Sequence, residues 1–204
     1  MKTFKSYLNE EANGNMGLTV FDIDETLFQT KAKIKVMKDG KVVKTLTNFE
    51  FNSYKLQQGE TYDFGQFKDA KFFAKTSTPI GRMIAKAKAI IKNATAKGSK
   101  VIISTARSDF DNKEVFLKAL EAHGIPVDNI YIERAGNFNL GSSAKNKKVI
   151  FRKYLRSGRY NRVRFFDDDI KNINSFLSLS KEYPNIEFNA YHVSKDGSTK
   201  TIRR

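Results

Sequence analysis

The chain has 204 residues, enough for one domain with a small insertion, and its 40% hydrophobic and 12% aromatic content excludes a disordered chain. It contains no cysteine, which excludes disulfides, thiolate catalysis and zinc held by sulfur. A net charge of +15, from 37 basic and 22 acidic residues, indicates contact with nucleic acid or another polyanion, with solubility as the alternative explanation.

Residues 1–16 begin the chain as a short amphipathic segment followed by a polar linker. The sequence MKTFKSYLNEEA resembles the head-targeting segments that begin internal capsid proteins of large tailed phages. The resemblance implies cleavage after the triplet Leu8-Asn9-Glu10 and packaging into a virion. A frayed N-terminal helix with no targeting role is the alternative interpretation.

A short buried strand is predicted from Leu18, and it runs directly into Asp22-Ile23-Asp24-Glu25-Thr26. Asp22 and Asp24 are two residues apart at the strand end, so their side chains lie on the same side. Two carboxylates this close are unfavourable unless a cation joins them, and the usual one is a hard metal ion with oxygen ligands. The stretch therefore predicts a metal site.

Residues 30–75 are predicted to form a small β-rich insertion that overhangs the ends of the strands. Within it, residues 33–47 alternate around Asp39-Gly40, which predicts a β-hairpin. Residues 48–75 carry many aromatic side chains without a clear period. We expect these rings to form the core of the insertion; contact with a nucleic-acid strand is the alternative.

From residue 76 onward, predicted helices and strands alternate, which indicates right-handed crossovers and a mostly parallel sheet. Residues 17–29 and 76–204 are therefore predicted to form one α/β core. The predicted helices begin at Thr78-Pro79, Asp111 or Asn112, Ser142 or Ser143, and Ile170; the predicted strands are 101–106, 129–132, 163–166 and 188–193, followed by a basic, solvated tail.

Polar side chains follow three of the predicted strands. Asp22 and Asp24 end the first, Thr105 ends another, and Asp167 and Asp168 end a third. Because the carboxyl ends of parallel strands meet at one edge, where ligands bind in such sheets, we expect these side chains to form one site.

Four segments in this order resemble the four motifs of the haloacid dehalogenase-like (HAD) phosphohydrolase superfamily. They are Phe21–Phe28, Val101–Arg107, a lysine within Lys145–Lys148, and Phe165–Asp169. The resemblance implies a three-layer, Rossmann-like sheet with a cap insertion, and phosphatase activity that depends on Mg²⁺. It covers residues 18–193 apart from the insertion.

The resemblance also implies a role for each residue of the site. Asp22 is the expected nucleophile, which forms an aspartyl-phosphate, and Asp24 is the expected proton donor and then base. Thr105 is expected to hold phosphate oxygens, and a lysine to neutralise their charge. Lys147 is favoured by its spacing from Ile150 and Asp167, with Lys145 and Lys148 as alternatives. Thr26 and Arg107 are expected to bind substrate. Mg²⁺ is expected on Asp22, on the backbone carbonyl of Asp24 and on one or both of Asp167 and Asp168, with Asp169 capping the next helix.

A closer similarity is to the 3′-phosphatase half of phage polynucleotide kinase/phosphatases. It rests on Thr105-Ala106-Arg107, where the arginine is implied to bind phosphate, on Lys147–Phe151, and on Asp167-Asp168. The chain departs from these proteins because it has no kinase half, no Gly-rich phosphate loop, and Glu25 where many relatives have glycine. The expected substrate is a phosphorylated end of DNA or RNA, or a nucleotide.

Two further hypotheses are weighed against the enzyme. A basic, DNA-associated internal head protein of a phage is the alternative in which the HAD fold serves as scaffold. A phospho-receiver domain is disfavoured, because its acceptor aspartate lies mid-chain after an early acidic pair. No stretch approaches about 18 apolar residues, so no membrane partner is expected. The expected location is the host cytoplasm or the virion, and the sequence carries no signal for an oligomeric state.

Overall fold

The computed structural model of the protein describes residues 16–51, 53–96 and 98–203. The predicted cleavage triplet Leu8-Asn9-Glu10 lies outside these residues. The described strands are β1 (Met16–Phe21), β2 (Phe28–Gln29), β3 (Ile34–Lys38), β4 (Lys41–Leu46), β5 (Glu60–Asp63), β6 (Thr78–Pro79), β7 (Lys100–Thr105), β8 (Tyr131–Arg134), β9 (Tyr160–Asp167), β10 (Glu187–Val193) and β11 (Thr199–Ile202). The described α-helices are α1 (Asn48–Phe51), α2 (Gly65–Lys68), α3 (Ala70–Thr76), α4 (Gly81–Ala96), α5 (Lys113–Ala122), α6 (Ser143–Leu155) and α7 (Ile170–Leu177).

Six strands form the central sheet, in the order β11-β10-β9-β1-β7-β8. Neighbouring strands are parallel from β10 to β8, and β11 runs antiparallel to β10. The chain builds outward from β1 to β7 and β8, then continues on the other side of β1 with β9 and β10. The strand order therefore reverses between β1 and β9. The predicted mixed α/β fold with a mostly parallel sheet is confirmed.

Helices cover both faces of this sheet and produce three layers. Side chains of α4 and α5 pack on one face, and side chains of α6 and α7 pack on the other. Along β1, Leu18 and Val20 point to the α6–α7 side, whereas Phe21 points to the α4–α5 side. Burial on both faces explains why this strand is mostly apolar, with Thr19 as its one polar side chain.

The helix predicted to begin at Thr78-Pro79 begins later, at Gly81. Thr78 and Pro79 instead form the two-residue strand β6, which pairs antiparallel with Gln29 and Phe28 of β2. The prediction was wrong because a Thr-Pro pair that opens a helix and one that ends an extended segment look alike. The ring of Pro79 disfavours helical geometry at Thr78. Thr78 is instead extended and pairs with Gln29 of β2.

Other predicted boundaries also differ from the structure, and β9 begins at Tyr160, three residues before its predicted start. The strand predicted at 129–132 is β8, two residues later, because a 3-10 turn at Val127–Asn129 follows Pro126. The tail predicted to be solvated contains β11, which pairs with β10. A tight turn makes this pairing possible: the Gly197 amide donates to the Ser194 carbonyl, and the φ of Gly197 is +78°.

The insertion contains a three-stranded antiparallel sheet in the order β4-β3-β5. Asp39 and Gly40 both have positive φ values, +48° and +72°, as a tight two-residue hairpin turn requires. The predicted hairpin is confirmed. A small core of Ile34, Val36 and Leu46 holds the sheet together, with aromatic rings of the insertion packed against it.

The end of the insertion is joined to the main core. Ala70 and Phe73 of α3 are buried in the cluster that covers the α4–α5 face of the sheet. The Asp111 amide donates to the Lys68 carbonyl, and the Asp111 carboxylate accepts from the Ala70 amide. These contacts hold the second connection of the insertion against the loop that follows β7, at the carboxyl end of the sheet.

Candidate active site

The predicted site residues meet where the strand order reverses. Asp22 directly follows β1, Thr105 ends β7, and Asp167 ends β9. The Asp22 amide donates to the Phe166 carbonyl at 3.0 Å, which continues the pairing of β1 and β9 to the last residue. Adjacent parallel strands thus bring together two carboxylates that are 145 positions apart in the sequence.

Lys147 bridges these two carboxylates. Its Nζ atom is 2.7 Å from Asp22 Oδ1 and 2.7 Å from Asp167 Oδ2, and all three side chains are buried. Burial alone would lower the pKa of Lys147, but the charges of Asp167 and Asp22 outweigh it and raise the pKa. Burial raises the pKa of Asp22 to about 7, although Lys147 opposes the rise. The lysine is therefore a fixed cation beside the predicted nucleophile.

Helix α6 determines which lysine reaches the site. Ser142 caps it by accepting from the Lys145 amide, and Ile150 and Phe151 face the core one turn after Lys147. Residues three and four apart share a face, so Lys147 points to the sheet with them. Lys145 is exposed, and Lys148 donates to Ser178 Oγ. The geometry selects Lys147, the favoured candidate, over both alternatives.

Three carboxylates form a cluster suited to a metal ion. Asp22, Asp167 and Asp168 each place an oxygen within 4.8 Å of the others. Burial raises the pKa of Asp168 to about 9, and the charges of Asp167 and Asp22 add to the rise. Three carboxylates face the single ammonium of Lys147, so the cluster favours a further cation. A divalent ion with oxygen ligands fits this donor set.

Asn172 holds Asp167 in place and was not predicted. Its Nδ2 atom lies 3.1 and 3.2 Å from the two Asp167 oxygens, and the Asp169 amide donates to Asp167 Oδ1 at 2.8 Å. The sequence signal that could have identified Asn172 is its position beside Ile173 on the buried face of a predicted helix, where a polar side chain needs a partner. Asp169 caps α7 by accepting from the Lys171 amide, which confirms its predicted role.

Asp24 is bound to Arg107 and lies outside the three-carboxylate cluster. Arg107 Nε donates to Asp24 Oδ2 at 2.9 Å, and Nη2 donates to Asp24 Oδ1 at 2.6 Å. The guanidinium is buried, and both carboxylate oxygens accept from it. The predicted role of Arg107 in binding substrate stays a prediction; in this structure the side chain positions Asp24.

The insertion completes the surroundings of Arg107. Nη1 donates to the Phe67 carbonyl at 2.9 Å, and Nη2 donates to Thr30 Oγ1 at 3.1 Å. The rings of Phe67, Phe73 and Phe110 lie 4.8 to 5.6 Å from the guanidinium carbon. Thr30 and Phe67 were not predicted, because their segment has no period that identifies an inward face. Asp24 is thus connected to the insertion through one arginine.

The two threonines of the motifs are buried. Thr105 Oγ1 accepts from the Arg107 amide at 3.1 Å, which shapes the loop after β7. Thr26 Oγ1 donates to Asp168 Oδ1 at 3.5 Å, so it contacts the carboxylate cluster. Their predicted roles in holding substrate stay predictions.

Glu25 occupies the left-handed region with a φ of +58°, and its carboxylate accepts from the Thr30 amide at 3.1 Å. Glycine adopts this backbone conformation without strain, whereas a residue with a side chain does not. Here the hydrogen bond to Thr30 closes the turn and offsets part of the strain. On either side of Ile23, Asp22 is bound to Lys147 and Asp24 to Arg107.

No protein-family model matches the chain, and the search of curated proteins found no match. None of the helices in the described ranges is long and apolar enough to cross a bilayer. Function is therefore inferred from the site itself.

Proposed function

We propose that the protein is a magnesium-dependent HAD-type phosphatase that hydrolyses phosphomonoesters through an aspartyl-phosphate on Asp22. The observation that carries the proposal is the buried ion cluster, in which Lys147 joins Asp22 and Asp167 beside Asp168. Buried ion pairs add little net stability because desolvation offsets their attraction. Several strongly coupled charges at a strand-order reversal therefore favour a catalytic role.

In the proposed first step, a carboxylate oxygen of Asp22 attacks phosphorus while the bond from phosphorus to the leaving oxygen breaks. Lys147 lowers the repulsion between the carboxylate and the phosphoryl oxygens because its charge lies 2.7 Å from Asp22. Asp24 acts in its protonated form, reached when Arg107 releases one of its oxygens, and gives that proton to the leaving oxygen. In the second step Asp24 takes a proton from water, which attacks phosphorus and releases inorganic phosphate and the Asp22 carboxylate.

Asp22, Asp167 and Asp168 are the side chains that would hold Mg²⁺. When bound, the ion supplies positive charge to the phosphoryl oxygens of the transition state. Asn172 and Lys147 fix the orientation of Asp167, so one ligand of the cluster is already in place.

Arg107 controls the position of the proposed proton donor. Both oxygens of Asp24 accept from Arg107 in this structure. Asp24 must exchange at least one of these bonds for the leaving oxygen before it transfers a proton. Because Thr30 and Phe67 also bind Arg107, the insertion takes part in that exchange.

The proposed substrates are phosphorylated ends of DNA or RNA, or nucleotides. The net charge of +15 favours polyanionic substrates, and the Thr105-Ala106-Arg107 motif resembles that of a 3′-phosphatase. A location in the host cytoplasm or the virion belongs to the same proposal.

The proposal is tested with purified protein, Mg²⁺ and a panel of phosphate esters. The panel contains nucleotides, 3′- and 5′-phosphorylated oligonucleotides, sugar phosphates and p-nitrophenyl phosphate. We expect phosphate release from nucleic-acid ends or nucleotides, its loss with EDTA and its recovery with Mg²⁺. Asp22→Asn should lower kcat by about a thousandfold or more, whereas the exposed control Asp128→Asn should not.

Two results would contradict the proposal. No phosphate release from any ester would refute the activity. Retained activity in Asp22→Asn would refute the aspartyl-phosphate mechanism while leaving the hydrolase assignment in place.

A further inference from the structure

A second charged region lies at the opposite, amino end of the same sheet. The segment from Arg152 to Arg164 contains six basic residues and no acidic residue. Arg156, Arg159 and Arg162 are exposed, and we call these three the arginine edge. Arg156 caps the C-terminus of α6, and Arg162 lies three residues into β9. The arginine edge therefore runs from the end of α6, through the turn that follows, to the beginning of β9.

The arginine edge is separate from the candidate active site. Strand β9 runs from Tyr160 to Asp167, so its two ends are roughly 20 Å apart at about 3.3 Å per residue. A guanidinium nitrogen of Arg162 lies 3.6 Å from where a side chain at Gly17 would begin, so it reaches the start of β1. The arginine edge and the carboxylate cluster are therefore separate surfaces at opposite ends of the sheet.

Neighbouring basic residues have partners that the arginine edge lacks. Arg152 forms two hydrogen bonds with Glu182, and Lys153 pairs with Glu133. By contrast, within residues 16–51, 53–96 and 98–203, Arg156, Arg159 and Arg162 form no ion pair within 4.0 Å. Among the residues that the structure describes, these three guanidinium groups have no carboxylate partner, so they form a positive surface.

The chemistry of this surface suits phosphate groups spaced along a backbone. Each guanidinium presents a planar fork of N–H donors that matches two phosphate oxygens. The tyrosines of the segment are poorly placed for base stacking, because Tyr160 is buried and the ammonium groups of Lys100 and Lys153 lie over the Tyr154 ring. A single strand is normally bound through stacked bases, so this surface fits a paired duplex better. Attraction to the negative end of the helix dipole explains a cation at Arg156, which lies at the end of α6. It does not explain cations at Arg159 and Arg162, which lie beyond the helix.

We infer that the arginine edge is a docking surface for the phosphate backbone of a nucleic-acid duplex, separate from the catalytic cluster. This surface holds the duplex without reading its sequence, because its three residues bind phosphates, which carry no sequence information. It goes beyond the proposed hydrolysis and does not depend on it.

The test compares two triple variants of the full chain. One carries Arg156→Gln, Arg159→Gln and Arg162→Gln; the matched control carries Lys88→Gln, Lys92→Gln and Lys113→Gln, three exposed cations on α4 and α5. Binding of a 30-base-pair DNA duplex is followed by fluorescence anisotropy from 50 to 300 mM salt. The slope of log affinity against log salt should become shallower by about 2.7 in the arginine variant, or about 0.9 per lost phosphate contact, and remain nearly unchanged in the control.

Four outcomes would overturn the inference. They are no duplex binding by the unmodified chain, an unchanged slope in the arginine variant, an equal change in the control, and arginine-dependent binding that favours single strands or anionic vesicles over the duplex. Thermal unfolding confirms that both variants are folded. Hydrolysis of p-nitrophenyl phosphate is measured separately, so failure of the proposed function is distinguishable: it leaves the binding result standing.

Discussion

The charged side chains at the two ends of the central sheet differ in burial and in pairing. At the carboxyl end, Asp22, Asp167 and Lys147 are buried and bonded to one another. At the amino end, the arginine edge is exposed and without carboxylate partners in the described chain. A buried charge is tolerated only with its partner, whereas an exposed charge is solvated and screened. Single substitutions should therefore change stability strongly at the first end and weakly at the second.

The largest effect is expected from Lys147→Ala, which leaves Asp22 and Asp167 buried without their shared cation. Removing one member of a buried ion pair costs about 3–5 kcal/mol, so the free energy of unfolding should fall by this amount. Urea denaturation with and without Mg²⁺ measures it, and Mg²⁺ should restore part of the loss by supplying positive charge. The exposed neighbour Lys145→Ala should change stability by less than about 0.5 kcal/mol. Equal stabilities of the two variants would contradict the expectation that the buried lysine contributes more to stability than the exposed one.

The next largest effect is expected from Arg107→Lys. An ammonium cannot reproduce the paired bonds to Asp24 together with those to Phe67 and Thr30, so we expect a loss of about 2–3 kcal/mol. If Arg107 positions the proton donor, kcat should fall more for alkyl phosphates than for p-nitrophenyl phosphate, whose leaving group needs little protonation.

The control for this variant is Arg82→Lys, which alters an exposed pair with Asp196 and should leave both stability and kcat unchanged. A rise in KM with unchanged kcat would instead support the predicted role of Arg107 in binding phosphate. Equal losses of kcat on both classes of ester would argue against a role in proton transfer.

The site residues on strand ends were predictable because a parallel sheet brings its carboxyl ends together. Asp22, Thr105 and Asp167 follow apolar runs, and their meeting requires only that the strands be parallel. Lys147 was favoured from spacing, since a helix face repeats every three to four residues. Each of these predictions rests on a local sequence pattern, and burial of the apolar residues in the core favours the same arrangement.

Contacts across the insertion were not predictable, because no local pattern encodes them. Arg107 reaches Asp24, Thr30 and Phe67 over 83, 77 and 40 positions of sequence. The Thr78-Pro79 prediction was wrong for the same reason: the strand partner, Phe28-Gln29, lies far upstream. Sequence predicted which residues the strand ends bring together, and the tertiary fold determined how the insertion binds them.

A smaller effect, on the backbone at the carboxyl end of the sheet, is expected at Glu25. Glu25→Gly and Glu25→Ala both remove the hydrogen bond to Thr30, but only alanine keeps a side chain at a φ of +58°. The glycine variant should therefore be more stable than the alanine variant by about 1 kcal/mol. The same pair of substitutions at Glu114, an exposed residue within α5, should give the opposite order because glycine weakens a helix. Thermal or urea unfolding of the four variants decides the point.

The smallest effect is expected at Glu182, a carboxylate beside the basic segment at the amino end. Hydrogen bonds from Arg152, and further bonds from Lys148, lower the pKa of Glu182 to about 2. Since the folded pKa lies below the ordinary value near 4.5, the stabilisation is present above about pH 4.5 and is lost as the pH falls towards 2. The difference in Tm between the unmodified chain and Glu182→Gln should therefore shrink over this range, and 1 M salt should shrink it at pH 6 because the pair is partly exposed. A difference that stayed constant with both pH and salt would show that Glu182 acts through packing, and the amino end would then resemble the carboxyl end more than its exposure indicates.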